Sequence, residues 1–303
     1  MKQKMTSALI AFSAVMCLNS CVSPSEEKEK NKTLYDVSFS MQLEEEILPF
    51  SRSMPEDLPT EPTAEPKESK LFERIEYILY NCNEKTFSHT VYTDDGSNDD
   101  FGVYLYDTLE VGSYKLTVLL HSSDNVSFSG NNFSSEDLSD TFYASINFDV
   151  SVDMPDEPMD LKFKRFVSLV EFVPTDEVPQ AGKLIITSEQ YNTIILPEGS
   201  IDTPVSITKE YDFADEETSY SFYTFVPETE GEEPSRISKI ELMTQDANGT
   251  PLRRITISNA PIVRNCITRY KGILFAPAES GLELELSIEN GGEWDEVIDI
   301  DIP

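Results

Sequence analysis

The chain has only two histidines, His89 and His121, in 303 residues. Neither sits in a catalytic or metal-binding motif, and no glycine-rich phosphate loop is present, so the sequence offers no constellation for covalent, metal-assisted or nucleotide chemistry. Each histidine is expected as a surface or strand residue, and no cofactor or metal is implied. Positive charge is also scarce: 23 Lys and Arg stand against 56 Asp and Glu, a net charge of −33. A surface this acidic repels nucleic acid and anionic lipid headgroups, which removes both as partners held by charge. Beyond the first twenty residues no apolar run reaches the roughly 18 residues that a spanning helix needs. No amphipathic pattern outlasts about two helical turns.

What the chain does have is alternation. Hydrophobic residues make up 39% and aromatics 10% of it, a composition that can build a core. Tyr35, Val37, Phe39, Met41 and Leu43 alternate with Asp36, Ser38, Ser40 and Gln42, the period of a half-buried strand. The pattern stops at Glu44. From 44 to 70 the prolines Pro49, Pro55, Pro59, Pro62 and Pro66, set among acids, prevent a packed element, so this stretch reads as a long exposed loop.

Strand character resumes at 72–80, at 115–120 after a glycine turn at Gly112, and at 142–152, where every second residue is apolar. The segment 154–158, with Pro155 and Pro158, is the expected boundary. In the second half, 163–173 reads as one long strand with apolar residues on both faces, as in the middle of a sandwich. Residues 237–244 and 252–257 flank Asn248-Gly249, a dipeptide that supplies two positive φ angles, and so form a hairpin. Leu282, Leu284, Leu286 and Ile288 alternate with Glu283, Glu285, Ser287 and Glu289, and 297–302 ends the chain in the same style. Many short strands separated by turn signals predict an all-β chain of two sandwiches, residues 33–157 and 158–303.

The N-terminus carries a different signal. Lys2 and Lys4 precede an apolar run over 8–15, followed by Leu18-Asn19-Ser20-Cys21. This resembles a bacterial lipobox. The resemblance implies a signal peptide over 1–20, cleavage between Ser20 and Cys21, and acylation of Cys21 by several chains, which hold a membrane far more firmly than one. Glu26, Glu27 and Glu29 follow within a non-periodic tether over 21–32, and resemble the acidic signal that sends Bacteroidota lipoproteins to the outer face of the outer membrane. Cys17 then leaves with the signal. Cys82 and Cys266 remain, one in each predicted domain, and are expected as buried free thiols.

Several stretches in order resemble the Bacteroidota fimbrillin superfamily, and in particular its anchor and accessory lipoprotein branch. They are the alternating first strand, Leu109-x-x-Gly112-x-Tyr114, the strand from Lys164 and Arg165 to Phe172, Arg264-Asn265-x-x-Thr268-x-x-x-Gly272-x-Leu274, and the late Trp294. The resemblance implies two tandem transthyretin-like β-sandwich domains and a subunit of a surface fimbria that meets shaft or accessory subunits through strand pairing. Shaft subunits of that family lose their first strand to an arginine-directed protease, whereas anchors keep it. Here Arg52 and Ser53 mark the corresponding position, and retention is the expectation.

The other classes are weaker. Exposed aromatics among Tyr104, Tyr106, Tyr191, Tyr223 and Trp294 make a glycan-binding surface the main alternative, with a host protein or glycan as ligand. The stretch 94–100 is rich in oxygen ligands but lacks the glycine and twelfth-position glutamate of a helical calcium loop, and reads as a solvated turn. The glutamates of 282–289 read as an outward strand face rather than paired catalytic carboxylates.

Overall fold

The computed structural model describes residues 33–43, 71–98, 100–213, 220–228, 233–276 and 285–290. The described elements are all strands. The first half supplies β1 (Leu34–Leu43), β2 (Arg74–Asn81), β3 (Thr86–Thr93), β4 (Tyr104–Glu110), β5 (Gly112–His121), β6 (Val126–Ser129), β7 (Asn132–Ser135), β8 (Phe142–Val150) and β9 (Met159–Arg165). Seven of these form one sheet in the order β3-β2-β5-β8-β9-β1-β4. It folds over at the short β8–β9 contact, so that β3-β2-β5-β8 faces β9-β1-β4 across a shared core. Alternation decides which side chains enter it: Ile75, Tyr77 and Leu79 from β2, Leu116, Val118 and Leu120 from β5, and Val37 and Phe39 from β1.

The second half supplies β10 (Val167–Pro174), β11 (Lys183–Gln190), β12 (Thr193–Ile195), β13 (Ser200–Ile201), β14 (Val205–Asp212), β15 (Tyr220–Phe225), β16 (Ser235–Gln245), β17 (Pro251–Ile262), β18 (Cys266–Gly272) and β19 (Glu285–Asn290). Sheet β15-β10-β18-β19 packs on sheet β14-β11-β16-β17, with Val170, Phe172, Phe222 and Tyr270 meeting Leu184, Ile186, Ile240 and Leu242.

Three local readings differ from the sequence pattern. The stretch 163–173 is two strands: β9 belongs to the first sheet and β10 to the second, and the chain crosses between them at Phe166. The segment 154–158 therefore falls between two strands of the first sheet. The crossing is built on Arg165, whose side chain is buried. It donates through Nε and Nη2 to the two carboxylate oxygens of Asp140 (2.8 and 2.9 Å) and through Nη1 to Asn265 Oδ1 (2.5 Å). Burial nonetheless holds the Asp140 carboxyl above the usual range, against the pull of Arg165. The hairpin at Asn248-Gly249 is present, but only Gly249 has a positive φ, of 80°. Asp246 accepts from the N–H groups of Asn248 (2.9 Å) and Thr250 (2.8 Å), and the register shifts at Thr244/Gln245, so a side-chain-capped turn with a bulge replaces the two-residue one. Cys82 is exposed rather than buried, because it opens the turn between β2 and β3; Cys266 is buried as expected.

A small sheet joins the halves. β7 of the first half pairs with β12 of the second, giving the order β13-β12-β7-β6. Phe133, Phe166, Val167, Ile194, Leu196 and Phe225 form a third core beneath it, against Ile78 and Leu119 on the outer face of the first sheet.

Candidate functional site

The first strand sits inside its sheet. β1 runs antiparallel to β4, from Leu34↔Glu110 to Ser40↔Tyr104, and parallel to β9, from Phe39↔Met159 to Leu43↔Phe163. Val37 and Phe39 are 3% and 0% exposed. The Phe39 ring meets Tyr77 at 6.4 Å and Phe148 at 5.3 Å between centroids, both edge to face, a favoured aromatic geometry. Ser40 Oγ donates to Asp160 at 2.6 Å. Withdrawing β1 would strip backbone partners from two strands and open an apolar slot, which is the form of a strand acceptor.

A second feature lies where the folded sheet fails to close. β3 and β4 are its end strands, and near them the loop before β4 borders a cleft of about 460 Å³. Ile75, Tyr92, Phe101 and Leu105 supply its apolar lining, and Asn98, Asp100, Tyr104 and Tyr106 the rest of its border. Gly102 permits this loop: its φ is +83°, and a Cβ there would lie 2.7 Å from Phe72 Cζ. Across the gap Tyr77 Oη donates to Asp107 Oδ2 at 2.9 Å. Burial, then the Asp107 charge, pushes the Tyr77 phenol far above its ordinary value, so it stays a donor.

The two histidines meet on the opposite face of β2. Glu76 is 1% exposed, and its Oε1 accepts from His121 Nε2 at 3.2 Å while its Oε2 contacts His89 Nε2. The Ser123 N–H donates to His121 Nδ1 at 3.1 Å. That bond needs the Nδ1 lone pair, so the hydrogen of a neutral ring sits on Nε2, aimed at the carboxylate. The same assignment leaves Nε2 no lone pair for a metal, and no metal-binding group of three exists among the described residues. Burial pushes the Glu76 carboxyl up, but the hydrogen bonds from His121 and His89 outweigh it and hold the group below its ordinary value. Phe128 lies 4.8 Å from the His89 ring and Phe133 5.8 Å from the His121 ring, between centroids, and the hydrogen bonds from both histidines satisfy the buried Glu76 carboxylate.

No family model and no curated protein matches the chain. Its trace is similar to those of solved fimbrial proteins. A fimbrial assembly protein from Parabacteroides distasonis is 11% identical with a TM-score of 0.47, over 89% of this chain and 100% of that one. The fimbrial anchor protein Mfa2 from Porphyromonas gingivalis is 10% identical with a TM-score of 0.42, over 88% and 99%. The tip fimbrial protein Mfa3 from Porphyromonas gingivalis, with C-terminal truncation, is 10% identical with a TM-score of 0.40, over 74% and 94%.

Of the residues singled out by sequence, Ser20, Cys21, Arg52, Ser53 and Trp294 lie outside the described residues. Tyr104 and Tyr106 are exposed and adjacent. Tyr191 and Tyr223 are instead half-buried and pack against the cores. In the 94–98 turn, Asp94 and Asp95 accept from the N–H groups of Gly96 (2.8 Å) and Ser97 (2.9 Å), the arrangement of a self-capped turn. The Arg264 to Leu274 stretch serves the junction. Arg264 covers the Phe166 ring at 4.2 Å and donates to Val226 O, while Asn265, at φ 57°, receives Arg165. The Glu76 cluster went unread in the sequence. Its signal was a lone acid inside the apolar run Ile75-Glu76-Tyr77-Ile78-Leu79, where burial demands a partner.

Proposed function

We propose that this chain is a lipid-anchored, non-enzymatic subunit of a surface fimbria, of the fimbrillin type, that keeps its own first strand. The two halves are its transthyretin-like domains. It anchors or caps the polymer through the edges of its strands, and no residue performs covalent chemistry. The observation that carries this reading is the position of β1 between β4 and β9, with Phe39 fully buried. A subunit whose first strand fills its own slot does not lend that slot to a neighbour, so it ends a polymer there rather than extending it. Leu18 to Cys21 supports a lipid on Cys21, and the acids at Glu26, Glu27 and Glu29 support the outer face of the outer membrane as its place.

Mass analysis of the N-terminus of the cell-surface form tests this. A chain beginning at acylated Cys21 is the expected result. A chain beginning at Ser53 would instead mean cleavage after Arg52, loss of lipid and first strand together, and an open slot for a neighbouring subunit. Radioactive palmitate should label the wild type and leave Cys21→Ser unlabelled.

A further inference from the structure

We infer that the Tyr104–Tyr106 lip of the cleft between β3 and β4 binds a neutral saccharide. This goes beyond the fimbrial reading and stands without it. Tyr104 and Tyr106 are 47% and 69% exposed although both lie in a strand. Their ring centroids are 6.2 Å apart and their planes 35° apart. Because they alternate with buried Leu105, both stand on the outer face of β4, side by side. Side-by-side rings make a platform for the C–H face of a pyranose, whereas a point cation is held best over a ring face that other rings enclose.

Hydrogen-bonding groups flank the platform. The Met41 N–H donates to Val103 O at 3.0 Å, which fixes alternate residues of β4 as facing β1 and puts the N–H and C=O of Tyr104 and Tyr106 on the opposite edge, where β4 has no partner among the described strands. Asn98 spends its carboxamide oxygen on the Asp100 N–H at 3.0 Å, leaving its NH₂ to donate beside the Asp100 carboxylate. Such neighbouring donors and acceptors suit vicinal hydroxyls. Among the described residues no Lys or Arg borders the cleft, and the chain carries −33, which disfavours acidic and sulfated sugars. The volume of about 460 Å³ falls within the range of small-ligand sites.

An extended peptide is the competing occupant of a free edge. A strand partner needs a continuous series of donors and acceptors, and Asp107 Oδ1 already caps the Thr108 N–H at 2.7 Å, so the series on β4 stops after Tyr106. Exposed rings, which main-chain pairing does not require, are the larger feature.

The test is calorimetric titration of the full chain with cellohexaose, mannohexaose, xylohexaose and lacto-N-tetraose. At least one should bind. Tyr106→Ala should weaken it by about tenfold, the worth of one aromatic contact. Tyr106→Phe, which keeps the ring, should hold affinity within about threefold. Thermal melts check that both exposed-site variants fold as the wild type does. Binding of none of the four sugars overturns the inference, as does binding that Tyr104→Ala and Tyr106→Ala both leave unchanged. So does an extended peptide that binds in their place and slows amide exchange at Tyr104 and Tyr106.

Discussion

At the scale of single residues, two buried charged groups carry most of the specific risk. The Glu76 carboxyl is held below its ordinary value of 4.5, so as pH falls the unfolded chain takes up the proton first. Its contribution is therefore complete above about 4.5 and is lost as pH drops through the lower folded value. Glu76→Gln should lose less stability than the wild type between about pH 5 and pH 3, read from urea unfolding at each pH. Equal losses would remove Glu76 as a source of acid lability. Arg165 poses a different problem, since truncating it leaves the half-buried Asp140 without its fork. Arg165→Met should cost about 3–5 kcal/mol in urea unfolding. Arg165→Lys should recover little of that, because an ammonium cannot serve both oxygens of Asp140 and Asn265 in the same plane.

At the scale of elements, β1 is the strand whose removal matters most. Phe39→Ala should destabilise by about 3–5 kcal/mol, the cost of a fully buried aromatic. It should also speed amide exchange in β4 and β9, which pair with β1, ahead of β11 in the other half; unchanged exchange in β4 and β9 would mean that β1 is not what holds them. This strand was legible in the sequence because Tyr35 to Leu43 alternate without interruption, and alternation is local. The break at Phe166 was not. A run that is apolar on both faces looks alike whether one strand spans a sheet or two strands belong to different sheets. What distinguishes them is Arg165 reaching Asp140, 25 residues earlier, and Asn265, 100 residues later. The Glu76 cluster was hidden for a related reason: β2, β3 and β5 must be in register before Glu76, His89 and His121 share a face. Tyr104 and Tyr106 needed only a strand period to be paired, whereas Tyr191 and Tyr223 needed the junction core to be placed.

At the scale of the whole molecule, the two halves do not meet as smooth bodies across a linker. The β7–β12 pairing threads backbone hydrogen bonds between them, and Phe133, Ile194 and Leu196 are each buried to within 1% beneath it. The crossing at Phe166 is pinned from both sides, by the Phe166 N–H on Thr141 O (2.8 Å) and the Asn265 N–H on Val167 O (3.1 Å). Opening either half therefore exposes apolar surface and orphans backbone groups belonging to the other, which couples their unfolding. Native-state hydrogen exchange should give β5 in the first half and β11 in the second the same opening free energy. Ile194→Asp places an unpaired charge in the junction core, at a cost of several kcal/mol, without touching the core of either sandwich. In that variant the two opening free energies should separate and a single urea transition should become two. Separation already present in the wild type would mean that the junction is a contact and not a coupling, and that strain in one sandwich stops before the other.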